Sequence, residues 1–152
     1  MIDRFTELLR EFSDFLGLAL HVDRNGCCLL QVHHKIGVQL QLDSSETRLL
    51  MASLAIELPP GKFRENVLKE GLKANFLPDP RPAICSYLAQ NNHLVFYQAF
   101  PLHILSGERL AGFFGAFLTE VENWVQAIES GRAAPIISEP PRGSSGPFGL
   151  KL

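Results

Sequence analysis

Between Leu94 and Ile128 the hydrophobic period of the chain changes from two to about 3.6 across a short break, so a strand must feed directly into a helix. Leu94-Val-Phe-Tyr-Gln-Ala-Phe100 is rich in aromatic and β-branched residues and has the length of a strand. Pro101 ends its ladder because it has no amide hydrogen to donate. Ser106 can accept a bond from the free amides of a first helical turn, and Glu108 sits where the helix dipole favours an anion. Beyond them Leu110, Phe113, Phe114, Phe117, Leu118, Val121, Trp124, Val125 and Ile128 keep the three-and-four spacing of one buried stripe. Gly112, Gly115 and Ala116 flank that stripe, where a second backbone could come close.

A chain of 152 residues fits one domain and, at roughly 70% burial of its unfolded surface, supports a core without staples. The 46% apolar content and mean hydropathy of +0.08 are those of a globular protein. No run of about 20 apolar residues exists to cross a bilayer, and the charged N-terminus lacks the pattern of a secretion signal. A cytoplasmic protein is expected. The net charge of −2 gives no electrostatic footprint for nucleic acid. Three cysteines, two of them adjacent at Cys27 and Cys28, do not form a disulfide framework.

Along the chain, Ile2, Phe5, Leu8, Leu9, Phe12, Phe15 and Leu16 predict an amphipathic helix over Ile2–Leu16, stopped by Gly17. Leu18–Val22 and Cys27–His33 read as a hairpin around Asn25-Gly26, with a second turn at Lys35-Ile-Gly37. Val38, Leu40 and Leu42 then alternate with Gln39 and Gln41, so one sheet face is polar there. Asp43–Glu46 turns the chain into a continuous apolar run, Arg48–Ile56, read as a strand that ends before Pro59-Pro60. A second helix is predicted over Lys62–Asn75, with Phe63, Val67, Leu68, Gly71 and Leu72 on one side. Ala83–Leu88 and Leu94–Phe100 form a further hairpin. The resulting order is α-βββ-α-ββ-α, with a possible fourth strand just before the second helix: an α+β domain over residues 1–130 with about five to six antiparallel strands and three helices. Residues 131–152, rich in proline and glycine, read as a flexible tail in which only Phe148 and Leu150 could dock.

Catalytic constellations are scarce. Neither a nucleophile elbow nor a phosphate-cradling glycine loop occurs, and the nearest string, Gly143-Ser-Ser-Gly146, lies in the tail. His33-His34 and Cys27-Cys28 point to opposite strand faces and lack partners at metal-ligand spacing, so no metal is expected. His21, His93 and His103 lie near turn or strand ends. Glu7 and Glu11 share a helix face beside Arg4 and Arg10, the pattern of a solvated surface. A chain poor in catalytic groups and rich in apolar faces points to binding.

The order of elements resembles class I chaperones of type III secretion systems. The resemblance rests on Phe5, Leu8, Leu9 and Phe12 followed by Gly17-Leu18, on Leu72-Lys-Ala-Asn75-Phe76-Leu77 closing the second helix, and on Phe100-Pro-Leu102 running on to Trp124. It covers Ile2–Ile128. It implies an α+β homodimer without catalytic activity or cofactor, which binds the N-terminal segment of secreted effector proteins in extended form. Implied partners are effectors and a second copy of the chain, with the secretion ATPase or a regulator as further candidates. Carried over, Phe5, Leu8, Leu9, Phe12, Val38, Leu40 and Leu42 would line or support the effector surface. Leu68, Leu72, Phe76, Val95 and Tyr97 would form the dimer interface. Two features depart from the family: the chain is only slightly acidic, and it carries the Pro/Gly-rich extension. The alternatives are a chaperone-like protein serving an anti-activator or regulator, and a small enzyme or ligand-binding protein with a polar pocket near His33, His34 or Cys85.

Overall fold

The computed structural model of the chain describes residues 3–32 and 36–136. Asp3 opens helix α1 (Arg4–Leu16) by accepting the Thr6 amide at 2.7 Å, and Gly17 closes it at φ 68 with its amide on the Ser13 carbonyl. Strands β1 (Cys27–Val32), β2 (Ile36–Leu42) and β3 (Arg48–Glu57) follow, then α2 (Lys62–Asn75), β4 (Ile84–Leu88), β5 (His93–Pro101) and α3 (Gly107–Glu129). The strands make one antiparallel sheet in the order β1-β2-β3-β5-β4. Ser106 caps α3 as its position predicts, its hydroxyl accepting the Arg109 amide at 3.2 Å.

All three helices pack on the same face of the sheet. Val38 and Leu40 of β2, Leu49 and Met51 of β3, and Leu94 and Phe96 of β5 turn inward and lose essentially all solvent contact. Phe12 of α1 meets Phe114 of α3 edge to face at 5.4 Å, and Trp124 leans on Phe96 at 5.6 Å. Each such pair adds about 1 kcal/mol to the 2–3 kcal/mol that burial of a large apolar side chain supplies. The buried Ser53 stays satisfied by donating to the Gly37 carbonyl at 2.8 Å.

Several expectations need correction. Leu18–Val22 is not a strand, since only Val22 bridges to β1, at Cys28. Asp23, rather than Asn25-Gly26, organises the turn: its carboxylate accepts the Asn25 and Cys27 amides at 2.8 and 3.0 Å, and only Gly26 has positive φ. Three strands rather than four therefore precede α2 among the described residues, and Ile36 and Gly37 are already strand rather than turn. Leu72 faces outward at 70% exposure, since none of the described residues lies over that side of α2. Gly112 and Gly115 face open space; close backbone approach occurs elsewhere. Ala133 and Ala134 pack against the core, which brings the start of the expected tail onto the domain. Ile2, His33, His34, Lys35 and residues 137–152, including Gly143, Phe148 and Leu150, lie outside the described residues.

The close approach falls where α1 meets the start of α3. A Cβ on Gly107 would sit 2.5 Å from the Glu11 Cβ and 2.6 Å from its carbonyl carbon, so only glycine fits. Glu11 Oε2 accepts the Gly107 amide at 2.9 Å, and Arg4 bonds both the Glu11 carboxylate and the Leu105 carbonyl. Gly107→Ala should therefore destabilise the fold by about 1–3 kcal/mol. Gly112→Ala, with no neighbour within 4 Å, should stabilise it by about 0.5–1 kcal/mol through helix propensity. Urea unfolding of the two variants checks the opposite signs.

The Gly107 amide, and then Arg4, hold the Glu11 carboxyl below its ordinary value of 4.5. The resulting stabilisation is present above that unfolded-state value and is lost as pH falls through the lower folded value. Wild type should lose more stability than Glu11→Gln between about pH 6 and about pH 3. Equal losses in thermal melts would rule this linkage out.

Candidate protein-binding surfaces

Helices on one sheet face leave the other uncovered. On β3 the outward residues are Leu50, Ala52 and Leu54, and the register sets them opposite Ala99, Tyr97 and Val95 of β5. Ile84 of β4 lies opposite Tyr97 in turn, so an apolar tract runs across three strands. Leu54 and Tyr97 remain 49% and 40% exposed. Toward β2 the face turns polar: Gln39 and Gln41 bond each other and flank the Cys27 thiol at 3.2 and 3.1 Å. Leu29 of β1 stands beyond them, also exposed.

Two further apolar groups protrude. Phe15, Leu18 and Val22 are exposed where α1 ends and the chain runs back to the β1 edge, because Gly17 stops the helix before any element can cover its last turn. Leu72, Phe76 and Leu77 are exposed at the C-terminal end of α2.

Phe5, Leu8, Leu9, Phe12, Val38 and Leu40 belong to the buried core, and Leu42 is half-buried against it. They shape the surface from beneath and do not line it. Of the residues carried over for the dimer, Leu72, Phe76 and Tyr97 are exposed, Val95 is half-buried on the open sheet face, and Leu68 packs partly into the core. They fall on two sides of β4, with α2 on the helical side and Val95 and Tyr97 on the open side. Phe15, Leu18, Leu29, Leu50 and Leu54 were missed as surface. For Leu50 and Leu54 the signal was the nearly continuous apolar character of β3, which means both faces of that strand need cover.

At the sheet edge, α2 and β4 meet through Gly71, where a Cβ would come within 2.5 Å of the Cys85 thiol. Asn75 then uses its side chain as a strand would: Oδ1 accepts the Cys85 amide and Nδ2 donates to the Cys85 carbonyl, both at 2.8 Å. Burial pushes the Cys85 thiol up to about 11, so it stays protonated at neutral pH. At the other end of α2, Arg64 donates to the Tyr87 hydroxyl and to Asn92, joining the helix to the β4–β5 hairpin. Glu7 and Glu11 serve structure through Arg4. Among the described residues no three His, Cys, Asp or Glu side chains gather to hold a metal ion, and no helix is long and apolar enough to cross a membrane.

These faces define a small α+β domain that offers apolar surface to a protein partner. The sequence profile of the Tir chaperone protein (CesT) family matches residues 7–125, and the chain belongs to that family. Among solved structures, a chain of the HopA1–SchA chaperone–effector complex matches with a TM-score of 0.62 at 21% identity, covering 84% of this chain and all of that one. The Yersinia pestis type III secretion chaperone SycH, solved with a fragment of YscM2, matches at 0.62 and 20% identity over 76% of this chain and 94% of its own. The ExsC–ExsE complex matches at 0.61 and 21%, over 86% and 93%. At these identities the likeness is one of fold. No curated protein matches in sequence.

Asn75→Ala removes both bonds at the β4 edge and should cost about 1–3 kcal/mol. It should also speed hydrogen exchange at the Cys85 amide, and unchanged exchange there would show that the edge is protected by something else.

Proposed function

We propose that this protein is a cytoplasmic, non-enzymatic chaperone that binds the N-terminal segment of one or more type III secreted effectors in extended form and acts as a homodimer. Membership of the Tir chaperone family carries the proposal. The uncovered apolar tract supports it, because monomers rarely leave contiguous patches of this kind exposed without a partner.

An extended segment has two ways to bind such a fold: its alternate side chains enter apolar surface, and its backbone adds to a sheet edge. The end of α1 suits the first, with Phe15, Leu18 and Val22 beside the β1 edge, carried on Phe5, Leu8, Leu9 and Phe12 beneath. In this reading Val38, Leu40 and Leu42 support the same region from the sheet. The second copy of the chain covers Leu72 and Phe76 of α2 together with Val95 and Tyr97, with Leu68 beneath, around the β4 edge. Cys85 lines a cavity that Asn75, Arg81 and Glu120 also border, and burial keeps its thiol protonated, which gives a cysteine nucleophile no support there.

Light scattering should give twice the 16.9 kDa chain mass, and Phe76→Asp should shift the protein to the monomer without loss of helical signal. A strictly monomeric wild type would count against the homodimer. Pull-down from the native host should recover a secreted protein bound through its N-terminal segment. Recovery of an anti-activator or transcriptional regulator alone would favour the regulatory reading.

A further inference from the structure

An edge strand offers bare amides and carbonyls to any extended chain. The order β1-β2-β3-β5-β4 leaves β1 and β4 outermost. At β4 the Asn75 side chain already holds the Cys85 amide and carbonyl. At β1, Val22 bridges to Cys28, and beyond that bridge no strand lies on the outer side of Leu29–Val32 among the described residues. Edges are ordinarily guarded by charge, proline or a bulge. Strand β1, Cys-Cys-Leu-Leu-Gln-Val, carries neither charge nor proline and pairs with β2 in unbroken register. Leu29 is exposed on it, and Phe15, Leu18 and Val22 are exposed beside it where α1 ends. An extended chain added here gains backbone bonds from the edge and apolar contact for its alternate side chains.

The chain itself contains such a segment. In Phe148-Gly-Leu-Lys-Leu152, an extended backbone sets Phe148, Leu150 and Leu152 on one side and Gly149 and Lys151 on the other. Between Ile137 and Phe148 the only apolar side chains are prolines, so this is the one apolar alternation beyond the domain. Residues 138–147 extend to at most about 35 Å. A domain of this size is about 35 Å across, so most of its surface lies within their reach. A segment tethered in this way acts at an effective concentration on the order of 1 mM, enough to populate a weak strand pairing.

We propose that segment 148–152 docks along the β1 edge of its own chain, with Phe148 and Leu150 against Phe15 and Leu18, and that it competes there with the partner. The docking rests on the edge and on the sequence of the segment; the competition rests on the chaperone reading. A partner must then displace the segment, and docking of about nine-tenths of the molecules weakens its apparent affinity about tenfold. Guests that pair poorly with the edge are thereby refused.

Phe148→Asp/Leu150→Asp in the full chain removes the apolar side of the segment. Native-state hydrogen exchange at those β1 amides beyond Cys28 that do not bond β2 should be at least about tenfold faster in this double variant than in wild type, with exchange in β3 unchanged. Leu18→Asp should speed the same amides from the domain side. Equal exchange in wild type and the double variant overturns the docking. A peptide of residues 146–152 at millimolar concentration should restore slow exchange to the double variant, and the same peptide with both aspartates should not; any other pattern overturns the docking. Wild-type protection that disappears on dilution places the segment on a second copy and overturns the intramolecular contact. With cargo recovered from the host, the double variant should bind it roughly tenfold more tightly. Unchanged cargo affinity overturns the competition while the docking stands. If wild type recovers no secreted protein, the chaperone reading falls, and the exchange measurement still decides the docking.

Discussion

The helical layer depends on the contact between α1 and α3 at Gly107. Helix α3 begins within van der Waals reach of the α1 backbone at Glu11, an approach that only a glycine at position 107 allows. Phe12 can then meet Phe114, and further along the helix Trp124 can reach Phe96. The carboxylate of Glu11 completes the joint by taking one of the free amides of the α3 first turn, a bond that spans 96 residues of sequence. Arg4 ties the same joint to the Leu105 carbonyl, so the loop before α3 is fixed as well.

With three helices on one side of a five-stranded sheet, the other side has nothing from the described chain to cover it. Sheets of this kind commonly alternate apolar inward and polar outward residues. Here β2 obeys, with Gln39 and Gln41 outward, while β3 and β5 do not, placing Leu50, Leu54, Val95 and Tyr97 there. The change from polar to apolar along one face divides it into a region suited to water and a region suited to a partner.

Periodicity revealed most of the fold because each element carries its own signal. The bounds of α2 follow from the charged stripe and from the prolines on both sides, and β3 follows from a run too apolar to be half-exposed helix surface. Leu18–Val22 misled because its apolar content resembles a strand, whereas Asp23 draws the neighbouring amides into a turn. The binding surfaces were less legible. Phe12 and Phe15 look alike in a helical wheel, yet one is fully buried and the other 60% exposed, since only the end of the helix decides what lies above. Glu11 looked solvated because its partner is distant in sequence. Asn75 stood out only as part of a repeated ending, and its use as a substitute strand needs the position of Cys85 to be known.

That substitution at Asn75 has a bearing on assembly. For sheets of successive molecules to join head to tail, the β1 edge of one would have to pair with the β4 edge of the next. With the Cys85 amide and carbonyl both held by a side chain of the same molecule, that growth lacks its second half. Growth through the β4 edge would therefore first have to break both bonds to Asn75.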